Sequence, residues 1–174
     1  MVGFLFPFPS HRLAFVSDHQ LISCSLERHG QEILDIFNDA ILNSTALYEY
    51  QPRTMQTMEA WFAIKASEGF PVIGLVDSRG TLLGFASYGT FRPQPAYQYT
   101  VEHSVYVHSA FRGQGLGRVL LQAIIASAVA DQRHVLIGVI DAENHASISL
   151  HESLGFQAVG KLPQIGFKFG RWLD

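Results

Sequence analysis

Two adjacent runs decide the fold: Thr100-Val101-Glu102-His103-Ser104-Val105-Tyr106-Val107-His108, and Arg112-Gly113-Gln114-Gly115-Leu116-Gly117. The first run is rich in valine and typical of a β-strand, and the second leads into an apolar pattern of helical spacing that reaches Ala130. Three glycines at alternate positions leave backbone N–H groups unscreened where the helix dipole is positive. These runs therefore predict a strand, an anion-binding loop suited to a phosphate group, and a long helix.

The spacing of the glycines distinguishes between phosphate ligands. A dinucleotide loop requires G-x-G-x-x-G, but the third glycine position is Arg118 counted from Gly113 and Leu120 counted from Gly115. A P-loop requires Gly-Lys-Ser/Thr, which the sequence lacks. The spacing that fits is Arg-x-x-Gly-x-Gly after a valine-rich strand, which resembles the acyl-CoA loop of the GNAT N-acetyltransferases.

Composition limits the class of protein. With 174 residues, of which 48% are hydrophobic and 16% charged, the chain is long enough for a single domain with its own core. A net charge of −3 gives no basic surface for nucleic acid, and no apolar run reaches the roughly 20 residues of a membrane span. The single cysteine, Cys24, suits a reducing compartment, so we expect a cytoplasmic protein with no nucleic-acid or membrane partner.

The chain in order predicts an α/β fold, in which a central mixed β-sheet is flanked by about four helices. Pro7 and Pro9 indicate an irregular N-terminal extension over residues 1–19, followed by a single domain over residues 20–174. The pattern then predicts strands at 21–26, 72–76, 82–88, 100–108, 135–140 and 156–159, and helices at 31–42, 55–66, after the glycine loop, and up to Ser153. Phe91 to Tyr97 is a loop, because prolines at 93 and 95 exclude a regular element.

Three polar residues near the central strand have two interpretations each. Glu102, in the middle of that strand, is either a general base or substrate ligand, or one partner of a structural salt bridge. Arg92, held by a proline-rich loop, is either solvated surface or an anchor for a carboxylate. Asn144 is either only the N-cap of the following helix or also a partner of the cofactor's amide arm. No H-x-x-x-H or Cys/His cluster is present, so we expect no metal site.

Four motifs together resemble one GNAT branch, the phosphinothricin and methionine sulfoximine (or sulfone) N-acetyltransferases. They are Val101 to Val107, Arg112 to Gly117, Leu150 to Phe156 and Gly166 to Trp172. The resemblance implies a GNAT fold, acetyl-CoA as co-substrate, transfer to an amino acid's α-amine, and a homodimer. Residues 1–19 lie outside the family pattern, and the resemblance implies that Arg171-Trp172-Leu173-Asp174 leads into a strand that continues further in the family.

The resemblance also implies roles for individual residues. Glu102 matches the acidic residue beside the substrate amine, and His151 matches a proposed catalytic partner. The residues expected to bind acetyl-CoA are Val105, Tyr106, Val107, Arg112, Gly113, Gln114, Gly115, Leu116, Gly117, Arg118 and Asn144. Those expected to bind the amino-acid substrate are Arg92, Pro93, Gln94, Tyr97, Glu102, His103 and Ser104.

The expected activity is acetylation of methionine sulfoximine or methionine sulfone. Gln94 stands in a loop where phosphinothricin-selective relatives carry an additional cation, so phosphinothricin is a weaker candidate. An alternative is a non-catalytic module on the same fold that senses acyl-CoA or an amino acid, although such a module has no need of Glu102 and His151. A nucleotide-binding regulatory domain is disfavoured by the glycine spacing.

Overall fold

The computed structural model describes residues 2–5 and 19–174. In chain order the strands are β1 (Val2–Leu5), β2 (Gln20–Ser23), β3 (Val72–Val76), β4 (Leu82–Thr90), β5 (Thr100–Val107), β6 (Val135–Ile140), β7 (Gln157–Lys161), β8 (Gly166–Lys168) and β9 (Arg171–Leu173). The helices are α1 (Leu26–Asn43), α2 (Met55–Ser67), α3 (Leu116–Ala130) and α4 (His145–Ser153). This arrangement confirms the expected α/β fold with four α-helices in the described residues.

Seven strands form one mixed sheet in the order β2-β3-β4-β5-β6-β1-β7, and β8 and β9 form a separate hairpin. The parallel pair is β5 and β6, joined by α3, which confirms the βαβ unit predicted from the glycine loop. The other pairs in this sheet are antiparallel. The parallel pairing in this otherwise antiparallel sheet therefore lies between β5 and β6, and the glycine loop follows the carboxyl end of β5.

Each face of the sheet carries its own hydrophobic core. On one face α3 buries Leu116, Leu120, Leu121, Ile124 and Ala128, together with Leu136 of β6. Leu116, Leu120, Ile124 and Ala128 belong to the apolar stripe that the sequence predicts for α3. On the other face α1 packs Ile33, Phe37 and neighbouring residues against Phe85 and Tyr106. The alternation of side chains along β5 divides the two cores, because Tyr106 faces α1 while Val101 faces α3.

Several element boundaries differ from the sequence predictions. Helix α1 begins at Leu26 rather than at residue 31, because Leu26 packs into the second core and Gly30 is buried against it. The loop after β4 contains one turn of 3-10 helix, Pro95–Tyr97, where no regular element was expected. The apolar composition of strand β6 is typical of burial on both faces, but only alternate residues are buried, since Val139 borders the cavity described below.

The N-terminal extension is not wholly irregular, which corrects the prediction for residues 1–19. Val2–Leu5 forms strand β1 and pairs antiparallel with β6 on one side and β7 on the other. The two neighbouring strands provide hydrogen-bonding edges that sequence alone does not reveal. Residues 6–18 lie outside the described part of the chain, so the rest of that prediction is not addressed by the structure.

Candidate active site

A cavity opens where β5 and β6 separate. Their parallel pairing covers three residue pairs and ends at Glu102 and Ile137. Beyond this point the strands diverge, and a cavity of about 790 Å³ passes between them from one face of the sheet to the other. Because the ladder between these strands has ended, backbone N–H and C=O groups along the rest of β5 border the cavity and can bind an extended ligand as a strand would.

The glycine loop forms one end of this cavity. Gly113 and Gly115 have φ angles of +79° and +78°, which favour glycine, and no atom lies within 4 Å of where either Cβ would be. The loop is therefore an open cradle at the N-terminus of α3. Arg112 holds it in position by donating from Nε to the Val107 carbonyl at 3.2 Å and from Nη2 to the Asp39 carboxylate at 3.0 Å.

Most residues expected to bind acetyl-CoA line the cavity. These are Val105, Tyr106, Val107, Arg112, Gly113, Gly115, Leu116, Gly117 and Asn144. The side chains of Gln114 and Arg118 are not among the lining residues, and Arg118 donates instead to Ser153 Oγ at 2.7 Å. Asn144 caps α4 by accepting a hydrogen bond from the Ser147 N–H at 3.1 Å, so the N-cap interpretation is confirmed while Asn144 also borders the cavity.

Glu102 lies at the point where β5 and β6 separate. Its side chain lines the cavity on the face covered by α1 and α2. Partial removal of this carboxyl from solvent raises its pKa above the ordinary value, and the positive charge of Arg92 opposes that shift. No salt bridge ties Glu102 to a cation within residues 19–174. A carboxylate that faces a cavity and has a raised pKa is a stronger proton acceptor than an ordinary carboxylate.

Two stacked histidines line the cavity on the opposite face. The rings of His103 on β5 and His151 on α4 are 5.1 Å apart and nearly parallel, and Phe156 packs against both. Gly138 of β6 leaves room for them, because a Cβ there would lie 2.9 Å from His103 Nε2 and 3.3 Å from the His151 ring. Burial, together with His151, lowers the pKa of His103 to about 3.

The hydrogen bonding of His151 defines its tautomer. Nδ1 lies 2.7 Å from the Ser147 carbonyl oxygen, which only accepts, so Nδ1 carries the proton. Burial lowers the pKa of His151, and the bond to Ser147 only partly opposes this shift. The ring is thus neutral at neutral pH, with its lone pair on Nε2.

An aromatic and cationic wall lies on the Glu102 face, and the sequence analysis did not single out its residues Phe37, Arg53, Trp61 and Lys65. Phe37, Trp61, Lys65, Arg53 and Tyr48 all line the cavity there. Arg53 lies over the Phe37 ring at 3.9 Å and pairs with Glu49. The Tyr48 hydroxyl is buried with no hydrogen-bond partner among the described residues. This wall gives the cavity an apolar body with a few polar groups, as small-molecule sites have.

Lys168 fixes the loop that carries part of this wall. Its buried ammonium donates to three carbonyl oxygens, those of Ile41, Ser44 and Leu47, at 2.6 to 2.8 Å. Thr45 in the same loop donates to the Asp141 carboxylate at the end of β6. Sequence reasoning gave no signal for this clamp, because a lone lysine in an exposed-looking hairpin is ordinarily solvated.

The loop after β4 carries the remaining expected substrate residues. Arg92, Pro93, Gln94 and Tyr97 are exposed and do not line the cavity, unlike Glu102, His103 and Ser104. Tyr97 packs edge-on against Phe91 and remains 43% exposed. The Arg92 guanidinium lies 5.1 Å from the Phe91 ring centre, and its charge still acts on Glu102. The structure therefore brings one group of expected substrate residues into the cavity and leaves the other at its margin.

Two further observations concern metal ions and the membrane. Within residues 2–5 and 19–174, no group of three or more His, Cys, Asp or Glu side chains is arranged to hold a metal ion. Among the helices described, none is both long and apolar enough to cross a bilayer.

Comparison with known proteins identifies the family. Residues 32–156 match the family described as "Acetyltransferase (GNAT) family". The L-methionine sulfoximine/L-methionine sulfone acetyltransferase of Pseudomonas aeruginosa is 49% identical over 142 residues, which cover 82% of this chain and 83% of that protein. A solved N-acetyltransferase of Staphylococcus aureus Mu50 is 44% identical with a TM-score of 0.87, covering 91% of this chain and 94% of that one. A phosphinothricin acetyltransferase of Sinorhizobium meliloti, solved with acetyl-CoA, is 33% identical with a TM-score of 0.86, covering 91% and 85% of the two chains. The chain belongs to the GNAT family of acetyltransferases.

Proposed function

We propose that this protein transfers an acetyl group from acetyl-CoA to the α-amine of a small amino-acid analogue. The observation that carries the proposal is a continuous cavity, which joins the glycine cradle to Glu102 through the opening between β5 and β6. A thioester bound from the cradle side and an amine bound from the Glu102 side meet in that opening. The identity to methionine sulfoximine and sulfone acetyltransferases supports the same acceptor class.

Acetyl-CoA fits the cradle and the strand edge. The backbone amides from Gly113 to Arg118 bind the pyrophosphate, which the open space at both positive-φ glycines leaves room for. The pantetheine arm pairs with backbone groups of Val105 to Val107, and Asn144 binds one of its amides. Backbone N–H groups on β5 stabilise the oxyanion that develops on the thioester carbonyl.

Glu102 acts as the general base in this mechanism. The α-amino group of a peptide has a pKa of about 7.7–8.0, and the carboxylate of a free amino acid makes its α-amine more basic still, so the amine is largely protonated at neutral pH and cannot attack. Glu102 removes that proton, directly or through water, and its raised pKa makes it a better acceptor than an ordinary carboxylate. The C–N bond then forms while the C–S bond breaks, and coenzyme A leaves as a thiolate that takes up a proton.

His151 serves as a second proton acceptor. Because its Nδ1 proton is held by the Ser147 carbonyl and the ring is neutral, Nε2 is suited to accept and relay the amine proton rather than to donate a proton to the thiolate. A covalent acetyl-cysteine route is disfavoured, since burial and Glu32 raise the pKa of the Cys24 thiol to about 12.

The acceptor is proposed to be methionine sulfoximine or methionine sulfone, with phosphinothricin less favoured because residue 94 is Gln. Arg92 is proposed to bind the acceptor's carboxylate, for which its loop would have to bring the guanidinium toward the cavity. Its influence on the pKa of Glu102 supports this proximity.

We also propose a cytoplasmic homodimer without nucleic-acid or membrane partners. The exposed aromatic rings of Phe167, Phe169 and Trp172 are candidates for the interface, which light scattering at micromolar concentration tests.

A substrate panel tests the proposed function. The purified protein and acetyl-CoA are incubated with methionine sulfoximine, methionine sulfone, phosphinothricin, and a lysine peptide as control, and released thiol is measured. We expect turnover with the first two, weaker turnover with the third, and none with the peptide. Acetyl-CoA binding without turnover of any acceptor would instead support a non-catalytic sensor.

A further inference from the structure

Lys65, in the last turn of α2, presents its charge to the cavity rather than to bulk water. The side chain lines the cavity, and its Nζ donates to the Tyr88 carbonyl at 2.6 Å. The ammonium lies 5.3 Å from the centre of the Trp61 ring and 5.6 Å from that of Phe70. Two of its three N–H donors are left for other partners.

The position of this ammonium relates it directly to Glu102. A Cβ on Gly89 would lie 3.2 Å from Lys65 Nζ, so the charge rests over that glycine. Gly89 is the cross-strand partner of Glu102 in the ladder between β4 and β5. Opposite residues of an antiparallel pair have Cα atoms about 4.5–5.5 Å apart and face the same side. The Lys65 ammonium therefore lies beside the strand position opposite Glu102. An acceptor whose amine contacts Glu102 can reach this ammonium with another of its polar groups.

The charge of Lys65 is not neutralised by the protein. Within residues 19–174, no carboxylate lies within 4 Å of its Nζ. Burial, together with the positive charge of Arg53, lowers the pKa of Lys65 to about 8. A desolvated cation with free donors, next to a cavity, is a strong partner for an anionic or oxygen-rich ligand group.

We infer that Lys65 determines acceptor specificity by binding an oxygen-bearing group of the amino-acid analogue, in addition to any contact made by Arg92. This inference rests on the proposed function, because it assigns a partner within the same cavity. The chemistry recognised is a negatively polarised oxygen, which an acceptor such as methionine sulfone carries both in its carboxylate and in its sulfone head group.

Two substrate analogues distinguish these sources. Methionine sulfone methyl ester lacks the carboxylate charge, and methionine lacks the sulfone oxygens. We expect Lys65→Met to raise KM for methionine sulfone about 10- to 100-fold with a smaller effect on kcat, which is the loss typical of one charged hydrogen bond. The KM effect should disappear with the ester if Lys65 binds the carboxylate, and with methionine if it binds the head group.

Two control variants and two further measurements keep the result interpretable. Lys65→Arg retains the charge and should recover part of the affinity, and Lys161→Met removes an exposed lysine as a matched control. Thermal unfolding of each variant checks the fold. Quenching of Trp61 fluorescence by methionine sulfone, measured in a Trp172→Phe background, reports binding without turnover, because Trp61 lines the same cavity.

The outcomes separate this inference from the proposed function. Wild-type turnover with an unchanged KM in Lys65→Met would overturn the role of Lys65 and leave the acetyltransferase function intact. Binding that depends on Lys65 without any turnover would support the role of Lys65 and refute the proposed catalysis. Quenching and KM that are equal in wild type and Lys65→Met for all three ligands would overturn the inference.

Discussion

Replacing His103 tests whether the stacked histidine pair is shielded from solvent strongly enough to lower the pKa of His103. In the unfolded chain its imidazole has the ordinary pKa of 6.5, whereas burial, together with His151, lowers the folded-state pKa to about 3. The unfolded chain therefore binds more protons between these values, so stability is lost as the pH falls through 6.5 and toward 3. At pH 5 the protonated form of this imidazole exceeds the neutral form about thirtyfold in the unfolded chain. This ratio corresponds to roughly 2 kcal/mol of lost stability.

Urea unfolding of wild type and His103→Gln at pH 8 and pH 5 measures this contribution. The free energy of unfolding of wild type minus that of the variant should fall by about 2 kcal/mol between the two pH values, with unchanged m-values. His134→Gln, at an exposed position, is the control for removing an imidazole. The same pH dependence in wild type and His103→Gln would refute the reasoning, because His103 would then be protonated as readily in the folded protein as in the unfolded chain.

Three other substitutions test separate parts of the site. Gly115→Asp should abolish acetyl-CoA binding in calorimetry, because a carboxylate would enter the phosphate cradle at a backbone φ of +78° that strains any side chain; retained affinity would remove the loop from the binding site. Arg92→Ala should raise KM for the acceptor about 10- to 100-fold, and a KM that is unchanged would exclude a carboxylate contact. Gly138→Ala should lower the free energy of unfolding by about 1–3 kcal/mol and reduce kcat, because its Cβ would lie 2.9 Å from His103 Nε2. A fully stable and fully active variant would show that the histidine pair tolerates displacement.

The glycine loop and the elements on either side of it were predictable because local chemistry determines them. Gly113 and Gly115 adopt positive φ angles that other residues rarely adopt, and their positions just before the apolar stripe of α3 mark the start of that helix. Because side chains on a strand alternate strictly, the sequence of β5 also predicts that Glu102 and His103 lie on opposite faces, as they do in the structure.

The contacts that depend on packing between distant elements were not predictable. His103 and His151 meet only because α4 docks over Gly138, and neither the spacing nor the composition of the motifs contains that information. Lys65 follows Trp61 and Phe62 in a helix without clear amphipathic spacing, so whether its ammonium faces solvent or cavity depends on how α2 packs against β4.

The N-terminal strand illustrates a different limit. Val2–Leu5 is an apolar run of four residues close to Pro7 and Pro9, and so short a run does not by itself predict a strand. It is a strand here because β6 and β7 provide hydrogen-bonding edges on both sides of it. Pairing across a sheet is a property of the assembled fold, and the sequence pattern of one segment does not determine it.

The central claim is that Glu102 deprotonates the acceptor amine beside the bound thioester. The most direct test is kcat for Glu102→Gln and wild type at saturating acetyl-CoA and methionine sulfone, with the affinity for acetyl-CoA measured in parallel by calorimetry. The account predicts that kcat falls roughly 10²- to 10⁴-fold, the usual contribution of a general base, while acetyl-CoA affinity stays the same. A kcat equal to that of wild type in Glu102→Gln would contradict it.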